Sequence, residues 1–156
     1  MDRNLIGPSV DGTLVAESPY SLLGSGRWAR RPFITGNTKD EGTLFASTSA
    51  NETSFRASIR GSGELFARRD ETIERLLQLY PADPSQGSPF DTGDELFNSS
   101  VTYKRAAAYS GDATFHAPRR NFLSVANEQG FTETWTFLFD YVATGINASP
   151  AQGSMS

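Results

Sequence analysis

The stretch GNTKDEGTLF, residues 36–45, follows directly on the apolar run Pro32-Phe33-Ile34-Thr35. It sets two adjacent carboxylates, Asp40 and Glu41, in a glycine-flanked turn at the end of what reads as a strand. A charged turn of this kind is ordinary on a surface loop. The strand before it is less ordinary. RPFITG is apolar at successive positions, the pattern of a strand buried on both faces in a parallel sheet flanked by helices.

Working outward, SVDGTLV (9–15) places Asp11-Gly12 between β-branched and apolar residues and predicts a tight turn or strand edge. Residues 20–24 read as a short helix closing at Gly24. Downstream, Ile73, Leu76, Leu77 and Tyr80 follow i, i+3, i+4, i+7, one face of a helix with Asp70 as N-cap and Pro81 as its stop. ADPSQGSPFDTG (82–93), with two prolines and two glycines, is a loop. A further helix is expected from about Ser99 through Tyr103 and Ala107, past Gly111 to Leu123, carrying His116 and an irregularity forced by Pro118. TETWTFLFDY (132–141) is a second strand, aromatic and β-branched. Beyond Tyr141 the composition turns small and polar, so residues 1–141 are expected to form one domain portion and 142–156 a divergent tail.

Composition narrows the function classes. The 156 residues are 37 % hydrophobic with 14 glycines, a globular balance, and the net charge of −4 offers no footprint for nucleic acid or an anionic membrane. Arg27, Arg30 and Arg31, Arg68 and Arg69, and Arg119 and Arg120 form short basic groups with acids nearby, read as solvated faces. There is no cysteine and one histidine, so neither a thiolate site nor a conventional zinc site is expected. No apolar run reaches the length that spans a bilayer, and Met1-Asp2-Arg3-Asn4 lacks the apolar stretch of a signal peptide. Sequons at Asn51, Asn98 and Asn147 hint at a secretory history, the third weakened by Pro150.

Several spaced motifs carry a resemblance. VDGTLVAESPYSLLGSGRWARRPFITGNTKDEGTLF (10–45), YPADPSQGSPFDTG (80–93), GDATFHAPRRNFL (111–123) and TWTFLF (134–139) together resemble the type-B carboxylesterase and lipase family, and within it the fungal extracellular lipases. The resemblance runs from about Ile6 to Phe139. It implies the C-terminal portion of an α/β-hydrolase fold, a mostly parallel sheet with flanking helices. It also implies a carboxylic ester or lipid substrate for the parent enzyme, extracellular location, and no metal or organic cofactor.

In that family the glutamate of the G-x-x-x-D-E-G turn is the acid of a Ser-Glu-His triad, so the resemblance makes Glu41 the triad acid. A buried carboxylate bonded to a histidine fixes its tautomer and stabilises the imidazolium formed when serine loses its proton. Asp40 is expected to support the turn, and Gly42 to supply backbone freedom behind it. Chain order in this fold is Ser, acid, His. No G-x-S-x-G occurs; Gly7-Pro8-Ser9-Val10-Asp11 lacks the last glycine, which argues against Ser9. His116 precedes the strand after which the family's histidine loop comes, so a packed or surface helix histidine is the reading preferred. Phe45, Phe66 and Phe90 are candidates to line an apolar pocket or to pack in the core.

Three functional readings follow. The leading one is part of an ester hydrolase that retains the triad acid, lacks the nucleophile elbow and catalytic histidine, and is inactive alone. The second is a non-catalytic, cholinesterase-like interaction module. The third is a small unrelated enzyme using Asp40, Glu41 and His116.

Overall fold

The computed structural model describes residues 9–61 and 69–141. Asp11 opens them with the expected turn: its carboxylate accepts from the amides of Thr13 and Val15 at 2.8 and 2.9 Å, and Gly12 takes φ +74°. Helix α1, Pro19–Gly24, starts where Ser18 Oγ accepts from the Ser21 amide at 3.2 Å and Pro19 has no amide to satisfy. The chain then packs against residues 122–131. Trp28 meets Phe122 and Phe131 edge-on at 5.6 and 5.4 Å, and its indole N–H donates to Gln129 Oε1 at 2.8 Å.

Strands β1, Phe33–Thr38, and β2, Thr134–Phe139, pair in parallel, with Phe33 opposite Thr134 and Thr38 opposite Phe139. Gly36 lies opposite Phe137, whose ring occupies the space a side chain at 36 would need: a Cβ there would stand 2.5 Å from it. The expectation of a strand buried on both faces is not met. Ile34 is 70 % exposed, and Trp135, Phe137, Leu138 and Phe139 are each more than half exposed. The physical reason is that among the described residues the sheet has two strands, too narrow for the helices beside it to cover both faces.

A helical layer supplies the main core. Helix α2, Glu52–Gly61, and helix α3, Asp70–Leu79, bring Phe55, Ile59 and Ile73 against Tyr109, with Leu76, Leu77 and Tyr80 around them. Each of those three aliphatic or aromatic side chains is essentially fully buried, worth about 1.5–3 kcal/mol of transfer free energy apiece. The i, i+3, i+4, i+7 face of α3 thus points where its spacing predicts. Its start differs: Asp70 is the first helical residue after Arg69 and directs its carboxylate to Arg60, so it is not the cap. The stop agrees, because Tyr80 before Pro81 has left the helical region with ψ 80°.

Helix α4, Tyr103–Gly111, begins later than the expected Ser99: residues 99–102 form a bend and a turn, following Phe97 and Asn98 in left-handed φ of 51° and 58°. It continues without a break into a single π-helical turn, Asp112–His116, and then helix α5, Ala117–Glu128. Pro118 has no N–H and its ring crowds the carbonyl of residue 114. The helix widens just ahead of it, and the Ala117 amide reaches back to Asp112 O. The irregularity is therefore a π turn preceding the proline.

Candidate active site

The acidic turn begins one residue past β1. Glu41 opens a 3-10 turn, Glu41–Leu44, and its Oε1 accepts from the Thr38 amide at 2.8 Å, so the carboxylate folds back onto the strand end. Glu41 is half-buried and its Oε2 takes no hydrogen bond from the described residues. The turn is closed at Asp40, whose carbonyl accepts both the amide and the hydroxyl of Thr43, at 3.1 and 2.8 Å. Buried Tyr103 on α4 donates its hydroxyl to Thr43 O at 3.1 Å.

Gly42 is where the turn meets α4. A Cβ there would stand 1.9 Å from Ala107 O and 2.5 Å from Gly111 N. Gly42 does not hold a left-handed φ, so what demands glycine is the close approach of two backbones, in place of the conformational freedom expected from the sequence.

Asp40 points away from Glu41 into the loop 88–93. Its Oδ1 accepts from Ser88 Oγ at 2.6 Å and from the Phe90 amide at 2.9 Å. Lys39 pairs with Asp91 of the same loop and, at 3.2 Å, with Asp140 just past β2, while its amide donates to Phe139 O. The Asp91 contact first, then Asp140, raises the Lys39 ammonium above its ordinary range. Behind the loop lies Lys104 on α4. It is fully buried, and its Nζ donates to Thr92 Oγ1 at 2.8 Å and Gly93 O at 2.6 Å. Sequence reasoning passed over this lysine. Its signal was the small-residue stripe Lys104, Ala107, Ala108, Gly111 at i, i+3, i+4, i+7, which places it on the inward face.

An open cleft of about 420 Å³ lies between the helical layer and β2, lined by Lys39, Phe90, Asp112, His116, Arg119 and Thr136 among others. His116 is buried on the π turn, as a packed helix histidine, and makes no hydrogen bond to Asp40 or Glu41. The structure therefore does not join the three residues of the small-enzyme reading into one bonded group. Tyr80 donates to Asp112 Oδ2 at 2.8 Å, and burial first, then this bond, raises its phenol well above the usual range. Of the aromatic candidates, Phe90 lines the cleft, Phe45 is largely exposed and packs on Phe115 at 5.4 Å, and Phe66 lies outside the described residues. Ser9 is exposed. Asn51 and Asn98 are exposed and Asn147 lies outside the described residues.

Parallel strands beside helices define an α/β arrangement, and its carboxylate turn stands at the C-terminal end of a strand. The chain belongs to the carboxylesterase family, the type-B group that includes lipases: the family model matches residues 2–155. That family has the α/β-hydrolase fold. Relatives include Lipase 4 of Diutina rugosa, 41 % identical over 149 residues, which cover 94 % of this chain and 26 % of the relative. Lipase 2 of Geotrichum candidum is 39 % identical over 134 residues, 85 % of this chain and 23 % of its own length. Secreted lipase 1 of Botryotinia fuckeliana is 39 % identical over 137 residues, 86 % and 24 % respectively. The chain thus spans about a quarter of the length of the curated relatives it matches. Among the described residues no helix is long and apolar enough to cross a membrane.

Proposed function

We propose that these residues are the C-terminal portion of an extracellular carboxylic ester hydrolase, and that Glu41 is the acid of its serine triad. Residues 1–141 belong to the catalytic domain and 142–156 form a divergent tail. The observation that carries the reading is the Glu41 carboxylate itself: it is fixed by the Thr38 amide at the end of a parallel strand, half-buried, with Oε2 free to accept from an imidazole. Family membership and the names of the fungal relatives, lipases and secreted lipases, support an ester or lipid substrate.

The chemistry is acyl transfer. Serine attacks the ester carbonyl as histidine takes its proton, the alcohol leaves with that proton, and water activated by the same histidine releases the acid from the acyl-enzyme. Glu41 holds the histidine's tautomer and stabilises the imidazolium in both halves. Serine and histidine come from segments of a longer polypeptide outside the sequence quoted, since no G-x-S-x-G stands within it.

The test begins with the transcript on both sides of this reading frame, where an in-frame G-x-S-x-G upstream and a G-x-x-H after Phe139 are expected. In the protein so encoded, Glu41→Gln lowers kcat on a p-nitrophenyl ester by about 10⁴-fold with the protein still folded. Full activity of that variant would refute the assignment. The 156-residue chain alone is expected not to turn over the same ester.

A further inference from the structure

We infer that Lys104 is a positioning residue for the acid turn, acting through the loop 88–93; the inference rests on the reading of Glu41 as a triad acid. A buried ammonium is costly to desolvate, and among the described residues no carboxylate makes a salt bridge with this one, Asp83 acting on it only through space. A methionine would fill the same space on α4 without that cost. The charge is there for what it holds.

It holds the loop at both ends. The Ser88 amide donates to Lys104 O at 3.0 Å, Gly87 packs against the lysine stem so closely that a Cβ would stand 2.6 Å from Lys104 Cβ, and Nζ grips Thr92 Oγ1 and Gly93 O. Between those ends lie every loop group that reaches the acid turn. Ser88 Oγ and the Phe90 amide bond Asp40, and Asp91 pairs with Lys39. Lys39 and Asp40 are the two residues directly before Glu41.

The loop would not hold this shape unaided. Asp91 takes a left-handed φ of 64°, which a residue other than glycine holds at some cost, while Gly93 at φ 56° adopts the same region freely. Released from Lys104, residues 91–93 relax, Asp40 loses its fixed donors, and the Glu41 carboxylate loses its register against Thr38.

Amide hydrogen exchange on the 156-residue chain tests this. Lys104→Met keeps the carbonyl that the Ser88 amide bonds and removes only the Nζ contacts; it is expected to speed exchange about tenfold at Phe90 and Thr38, whose amides bond Asp40 and Glu41, and to leave unchanged the Phe131 amide, bonded to Ala126 O. Thr92→Val removes this acceptor of Nζ and also the Thr92 hydroxyl's own bond to Pro89 O; it is expected to shift Phe90 and Thr38 the same way, and to shift them less where Lys104 is already methionine, the difference belonging to the lysine contact. If Lys104→Met speeds Phe131 equally, the fold as a whole has loosened and Thr92→Val decides. Unchanged rates at Phe90 and Thr38 in that variant overturn the proposal. Exchange reports the placement of the turn without any ester being hydrolysed, so a failed clamp and a failed triad assignment give different results.

Discussion

Asp40 and Glu41 carry the same functional group one methylene apart, yet the backbone sends them in opposite directions. Asp40 accepts from Ser88 and Phe90, whereas Glu41 bonds the Thr38 amide through Oε1 and leaves Oε2 unbonded among the described residues. Asp40→Ala strands a hydroxyl and an amide and is expected to lower unfolding free energy by about 2 kcal/mol, and Asp40→Asn, which keeps an acceptor oxygen, by less, both measured in urea. Gly42→Ala drives a methyl into the Ala107 carbonyl and is expected to cost about 1–3 kcal/mol. Tyr80 makes a prediction about pH. Its folded pKa is raised, so its contribution is complete below the unfolded value near 10 and is lost as pH climbs toward the folded one. Alkaline titration of stability is expected to fall more shallowly in Tyr80→Phe. The turn after the apolar strand was legible in the sequence, and the family resemblance alone set Glu41 apart from Asp40 within it. Lys104 was not, because a lysine on a helix reads as solvated, and only packing tells an inward lysine from an outward one.

Among the elements, those set by local chemistry follow the sequence and those set by partners do not. Ser18-Pro19 starts α1, Pro81 ends α3, and the alternation in TWTFLF gives β2 its span. Helix α2 is absent from the sequence reading, since Phe55 and Ile59 alone mark its inner face and that is a weak period. Its start is nonetheless built locally: Asn51 Oδ1 accepts from the Ser54 amide and Ser54 Oγ from the Asn51 amide, both at 2.9 Å. Asn51→Ala is therefore expected to cost about 1 kcal/mol and to abolish any glycan there. Thr53→Ala, which breaks the same sequon and spares the cap, is expected to leave the denaturation midpoint in place. The π turn shows the limit of such reasoning. Pro118 announces a defect, but whether the helix kinks, breaks or widens depends on the neighbours that hold its two halves in line.

At the largest scale, burial among the described residues is lopsided. The helical layer closes over Phe55, Ile59, Ile73 and Tyr109, while the sheet leaves Ile34, Trp135 and Leu138 largely in water. An open apolar sheet with free strand edges is a template for association. The 156-residue chain is expected to bind an apolar dye and to sediment as more than a monomer at micromolar concentration; Ile34→Lys with Leu138→Lys is expected to reduce both with little loss of stability. The sheet also sets a clock. Residues of β1 meet their partners in β2 about a hundred residues later in the chain. On a ribosome adding about 5–20 residues per second, β1 emerges about 5–20 s before the strand it must pair with exists. During that interval Ile34 and its neighbours are exposed nascent chain, and the acid turn they lead into has a strand to end but no sheet to belong to.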